Sequence, residues 1–106
     1  VTYDVDNLIE WADVVNVLRI QKERMGVGII PSIREYRDFF GITADRLAKH
    51  KKEIVIMHPG PINRGVEIDS SVADGDQAII LDQVLNGVAI RMSVLYLLLG
   101  NNELEK

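Results

Sequence analysis

Arg19 and Gln21 flank Ile20 at the end of an apolar run, Val14-Val15-Asn16-Val17-Leu18. In an extended chain, residues two apart point to the same side, so both side chains would face one ligand. A guanidinium presents a planar fork that matches a carboxylate, and a carboxamide bonds either an amino or a carboxyl group. Together they could hold an amino acid. Glu23, four residues after Arg19, could steady the guanidinium, and Lys22 and Arg24 add positive charge. A local basic cluster in a chain of net charge −4 suits an anionic ligand. The alternative is a solvated strand end carrying an exposed ion pair worth about 0–1 kcal/mol, and the spacing by itself leaves both open.

The second stretch is His58-Pro59-Gly60-Pro61-Ile62-Asn63-Arg64-Gly65-Val66-Glu67, directly after Ile54-Val55-Ile56-Met57. Proline fixes φ and removes an N–H, and glycine permits close backbone approach. Pro59 and Pro61 keep their carbonyls, so the loop suits a ligand with a donor group such as an amide NH2. The competing role is a rigid turn that serves only the fold. His58, alone, reads as structural. Arg64 and Glu67 are either binding groups or a structural pair three residues apart; Glu67 leans to the structural side and Arg64 stays open. Arg91, inside an apolar helix, pairs with a carboxylate or caps a helix end.

The elements that must position these groups are legible in outline. Asp6 to Asp13 reads as a short helix with Asp6 as N-cap. Val14 to Leu18 and Ile54 to Met57 are β-branched and apolar, the signature of buried strands. Residues 22 to 31 read as a loop, broken by Gly26 and Gly28. Ser32 to Phe40 is a helix with Ile33, Tyr36, Phe39 and Phe40 at helical spacing, ended by Gly41. Thr43 caps a helix over Ala44 to Lys51. Strand, helices, strand without a hairpin signal is a parallel crossover unit, which gives α/β architecture. Ligands of open parallel sheets bind beyond the carboxyl ends of the strands, and both distinctive stretches lie at those ends. They should share one edge of the sheet.

Asp76 to Leu99 reads as one long helix of about 36 Å at 1.5 Å per residue. Leu81, Val84, Leu85, Val88, Met92, Leu95 and Leu99 mark one face, and Ile80, Ala89, Ile90, Val94, Leu97 and Leu98 widen it. Such a helix is normally covered on several sides. Asp82 and Arg91 interrupt it, so the expectation is burial against protein and not a membrane span.

A chain of 106 residues fits one small domain with a modest core. It has no cysteine, so neither a disulfide framework nor a thiolate zinc site is possible, and a reducing, cytoplasmic setting is the default. His50 and His58 are far apart and no carboxylate spacing suits a metal. The charge balance argues against nucleic acid as a main partner. Val1-Thr2-Tyr3 carries no secretory pattern, and the start reads as a cut inside a larger protein.

Leu18-Arg19-Ile20-Gln21-Lys22-Glu23-Arg24-Met25 and the His58 to Glu67 stretch each resemble the aspartate carbamoyltransferase family. Ile30 to Tyr36, Asp74-Gly75 and Gln83 to Arg91 are similar to it too, and Gly60 to Arg64 resembles the bacterial branch that often works beside a dihydroorotase. The resemblance implies a partial, Rossmann-like parallel-sheet domain over residues 1–75, the aspartate-binding half. Residues 76–106 would then be a C-terminal helix that packs against a missing carbamoyl-phosphate domain. It implies transfer of the carbamoyl group of carbamoyl phosphate to the α-amino group of L-aspartate, with no metal and no cofactor. Arg19 and Gln21 would bind L-aspartate, the backbone of Pro59, Gly60 and Pro61 would contact carbamoyl phosphate, and Glu23 would support Arg19. Ornithine carbamoyltransferases share that fold but usually carry cysteine in the corresponding loop. No Ser-Thr-Arg-Thr phosphate-binding motif is present. The resemblance also implies a homotrimer with shared sites for the full-length protein, and an inactive fragment. The competing expectation is a non-catalytic interaction module of the same fold that binds a partner such as dihydroorotase.

Overall fold

The computed structural model of the protein describes residues 1–21 and 32–100. In chain order the elements are α1 (Val5–Trp11), β1 (Val14–Asn16), α2 (Ile33–Phe40), α3 (Ala44–His50), β2 (Val55–Met57), α4 (Ser70–Ala73) and α5 (Ile80–Leu99). The expected loop over 22–31 lies outside the described residues.

Each early helix starts at a side-chain oxygen. Asp4, not Asp6, caps α1: its Oδ1 accepts the N–H groups of Asp6 at 2.9 Å and Asn7 at 3.2 Å. Asp6 sits inside the first turn, where a carboxylate still favours the positive end of the helix. Ser32 Oγ accepts the Glu35 N–H at 3.0 Å, and Thr43 Oγ1 accepts the Arg46 N–H at 3.2 Å. These caps satisfy donors that the first turn leaves orphaned. Gly41 follows α2 because nothing larger fits: a Cβ there would meet the Arg37 carbonyl oxygen at 2.6 Å and that of Val66 at 3.0 Å.

β1 and β2 pair in parallel, with Val14 opposite Val55, Val15 opposite Ile56 and Asn16 opposite Met57. The parallel α/β expectation therefore holds, with shorter strands than the apolar runs suggested. The expectation that both strands are buried does not. Ile56 is sealed, whereas Val14 is 53% exposed and Val55 lies at the solvent boundary. One face of this narrow sheet meets the core and the other is open among the described residues. Residues 77–79 run along the free edge of β2, where the Ile56 N–H donates to the Gln77 carbonyl and the Ile79 N–H to the Ile56 carbonyl.

The core is built from Ile9, Val17, Ile42, Ile54, Ile56, Ile68, Val72 and Ile80. It ties α1, both strands, α4 and the first residue of α5 together. Each such side chain is worth about 1.5–3 kcal/mol when fully buried. Ile42 and Ile68 pair by backbone hydrogen bonds, which draws the α2–α3 turn onto the segment after the proline loop.

α5 begins at Ile80, four residues later than expected, because Gln77 and Ile79 spend their backbone groups on β2. It runs straight through Gly87. Ile80 is its one buried residue, and Leu81, Leu85, Met92 and Leu98 are all more than 60% exposed. By length and composition alone the helix is apolar enough to cross a membrane. Arg91 lies near its middle, where a charge costs about 2.5–3.5 kcal/mol in a bilayer centre.

Candidate functional site

Because β1 and β2 are parallel neighbours, the chain leaves both at the same end of the sheet. Arg19, Ile20 and Gln21 follow β1, and Pro59, Gly60 and Pro61 follow β2. Ile20 is buried, Arg19 is half-buried and Gln21 is exposed. Pro59 and Pro61 are exposed and Gly60 is half-buried. The shared edge expected from the sequence is thus present. Glu23, with Lys22 and Arg24, lies outside the described residues.

The proline loop stands on a buried polar frame. His58 and Glu67 are 0% and 1% exposed. His58 Nε2 lies 3.1 Å from Glu67 Oε1, and His58 Nδ1 accepts the Gly60 N–H at 2.8 Å. Since Nδ1 accepts, it carries no proton and the ring proton sits on Nε2, pointing at the carboxylate. Glu67 Oε1 also accepts the Asn63 N–H at 2.7 Å. The His58 N–H donates to Gln83 Oε1 of α5 at 2.8 Å. Gly60 takes φ +70°, a left-handed conformation that suits glycine. Glu67 therefore pairs with His58, not with Arg64. Its charge, after burial, helps to raise the Tyr36 phenol above its ordinary value.

Arg64, left open by the sequence, makes a two-pronged bond to Asp74 at 2.8 and 2.9 Å on the surface. Those bonds hold the Asp74 carboxyl below its usual range and raise the Arg64 guanidinium. Arg91 is exposed and pairs with no carboxylate among the described residues. No group of three His, Cys, Asp or Glu side chains among the described residues is placed to hold a metal.

Two contributors escaped the sequence-based expectations. Asn63 Nδ2 donates to the Ile20 carbonyl at 2.9 Å, so the proline loop grips the backbone between Arg19 and Gln21. Gln83 anchors the His58 backbone from α5. A buried strand end needs an acceptor for its last N–H, and a lone glutamine one turn into an apolar helix was the available signal. Arg19, Gln21 and the Pro59-Gly60-Pro61 segment thus lie on two neighbouring loops that the Asn63 side-chain amide joins.

Residues 1–98 match the family model described as aspartate/ornithine carbamoyltransferase, Asp/Orn binding domain. The chain is 62% identical over 96 residues to the aspartate carbamoyltransferase catalytic subunit of Gemmatimonas aurantiaca, covering 91% of this chain and 30% of that protein. It is 57% identical over 104 residues to the one from Carboxydothermus hydrogenoformans, covering 97% and 33%. It thus spans about a third of the length of these relatives. Among solved structures it resembles Trypanosoma cruzi aspartate transcarbamoylase in complex with N-(phosphonacetyl)-L-aspartic acid, with a TM-score of 0.71 and 28% identity over 90% of this chain and 29% of that one. It shares the fold of Pyrococcus furiosus ornithine carbamoyltransferase, with a TM-score of 0.67 and 24% identity over 88% and 29%. With the match running through the strands, both loops and nearly all of α5, the chain belongs to the aspartate/ornithine carbamoyltransferase family, as its Asp/Orn binding domain.

Proposed function

We propose that this chain is the aspartate-binding part of an aspartate carbamoyltransferase. The whole enzyme transfers the carbamoyl group of carbamoyl phosphate to L-aspartate, giving N-carbamoyl-L-aspartate and phosphate. The observation that carries this reading is the pairing of two loops at one sheet edge, Arg19–Gln21 and Pro59–Pro61, held together by Asn63. The high identity to aspartate carbamoyltransferase catalytic subunits supports L-aspartate over L-ornithine.

Arg19 binds a carboxylate of aspartate and Gln21 orients the same molecule. The carbonyls of the Pro59-Gly60-Pro61 loop face the carbamoyl amide, which donates to them. Glu23 steadies Arg19. The α-amino nitrogen attacks the carbamoyl carbon, the bond from that carbon to the phosphate oxygen breaks, and phosphate leaves with the electron pair while the nitrogen loses a proton. Positioning two anions against each other supplies most of the rate, as fixed geometry and fixed dipoles do elsewhere. The phosphate-binding half comes from another part of the full-length protein. α5 (with the rest of residues 76–106) packs its open apolar face against that half, and the 106-residue chain alone has no turnover. The full enzyme is a cytoplasmic homotrimer.

The exposed face of α5 also suits an interaction module without catalysis. Mixing this chain with a separately expressed carbamoyl-phosphate half tests the two. Formation of N-carbamoyl-L-aspartate that vanishes with Arg19→Ala supports the enzyme; no product despite proven association of the halves favours the module.

A further inference from the structure

We infer that Asn63 is a positioning residue that sets the affinity for the amino-acid substrate from the opposite loop. This rests on the aspartate reading above. The backbone of Asn63 belongs to the proline loop, where its N–H is held by Glu67 Oε1 at 2.7 Å. That oxygen is also held by His58, so the anchor is buried and doubly bonded. The Asn63 side chain leaves this anchor and donates to the Ile20 carbonyl at 2.9 Å, across 43 residues of sequence.

The Ile20 carbonyl belongs to the peptide plane that joins Ile20 to Gln21. A peptide unit is rigid, so holding its oxygen fixes the plane from which Gln21 departs. Ile20 is itself only 6% exposed, so the plane is held at its side chain and at its carbonyl. Arg19 and Gln21 lie on either side of that fixed point. Without the bond from Asn63, the carbonyl can turn toward water and the two binding side chains lose their common reference. The proline loop keeps its own frame, because His58, Gly60 and Glu67 do not depend on the Asn63 amide. The effect should therefore fall on the amino acid and not on carbamoyl phosphate.

The test uses the full-length enzyme, wild type, Asn63→Ala and Asn63→Leu, in initial-rate assays of N-carbamoyl-L-aspartate formation and in thermal unfolding. Asn63→Leu keeps the approximate volume and branching and loses the donating NH2 without adding a charge. In both variants the KM for L-aspartate should rise about fivefold, the scale of one lost hydrogen bond. The kcat and the KM for carbamoyl phosphate should stay within about twofold on the same scale. Should the alanine variant not fold, the similarly sized, uncharged Asn63→Leu carries the test. An unchanged aspartate KM in a folded variant overturns the inference, as does a fall in kcat with both KM values unchanged. A wild-type full-length enzyme that forms no product overturns the functional reading and this inference with it, which separates the two failures.

Discussion

The imidazole Nε2 of His58 lies 3.1 Å from Glu67 Oε1, and neither side chain reaches solvent. The same oxygen takes the Asn63 N–H, and the other ring nitrogen takes the Gly60 N–H. One buried pair thus fixes both limbs of the proline loop. Both ring nitrogens are committed to the loop itself, so His58 shapes the loop.

Glu67→Ala should therefore be costly. It strands the His58 Nε2–H and the Asn63 N–H in a buried site and opens a cavity. The expected loss is about 2–4 kcal/mol, from two unsatisfied donors. Urea unfolding of the full-length chain would read it, and a loss under about 1 kcal/mol would mean that water or a neighbour replaces the carboxylate easily.

Asp6 makes acid stability specific. Its carboxyl is held below the ordinary 3.8 by the His50 hydrogen bond, which outweighs the opposing desolvation, with Arg46 adding a smaller downward pull. A depressed folded value contributes stability that is complete above the unfolded pKa and is lost as pH falls through the folded one. Asp6→Asn should lower the melting temperature slightly near neutrality and flatten its decline below pH 3.8. The carboxyl is half exposed, so solvent keeps the effect small. Parallel melting curves for the two proteins at acid pH would contradict this assignment.

Gly41 tests packing between α2 and the segment after the proline loop. A Cβ would press against the carbonyl oxygens of Arg37 and Val66. Both are backbone atoms and cannot swing aside. Gly41→Ala should destabilise by about 1–3 kcal/mol, the usual range for overpacking, although alanine is otherwise the better helix former. A neutral or stabilising result by denaturant titration would show that the turn yields.

The open face of α5 predicts behaviour in solution. Leu81, Leu85, Val88, Met92 and Leu95 are each more than half exposed along α5, and a contiguous exposed apolar patch marks a contact surface. The 106-residue chain should self-associate at micromolar concentration, and Leu85→Lys with Met92→Lys should shift it toward monomer. Sedimentation velocity decides this; a stable monomer of the unaltered chain would count against it.

The β-branched runs at Val14 to Leu18 and Ile54 to Met57, with helical spacing between them, were enough to specify two parallel strands. Parallel strands in turn placed Arg19, Gln21 and the Pro59-Gly60-Pro61 loop at one edge. Gly41 and Thr43 marked helix ends correctly because caps act within three residues, where sequence and geometry are nearly the same thing. The cap of α1 was misplaced by two positions, since Asp4 and Asp6 are chemically identical and only the turn decides which carboxylate reaches the free N–H groups.

Sequence by itself determined the strand and helix types, the edge that carries the candidate site, and the residue types available there. Tertiary structure decided the partners: Glu67 with His58 and not Arg64, Arg64 with Asp74, Asn63 with the carbonyl of Ile20. It also decided where α5 starts, because Gln77 and Ile79 bond to β2 before the helix can claim them. The division has one physical cause. Propensity and capping are settled by neighbours a few residues apart, whereas a hydrogen bond goes to whichever group the sheet brings within 3 Å, however distant it is along the chain.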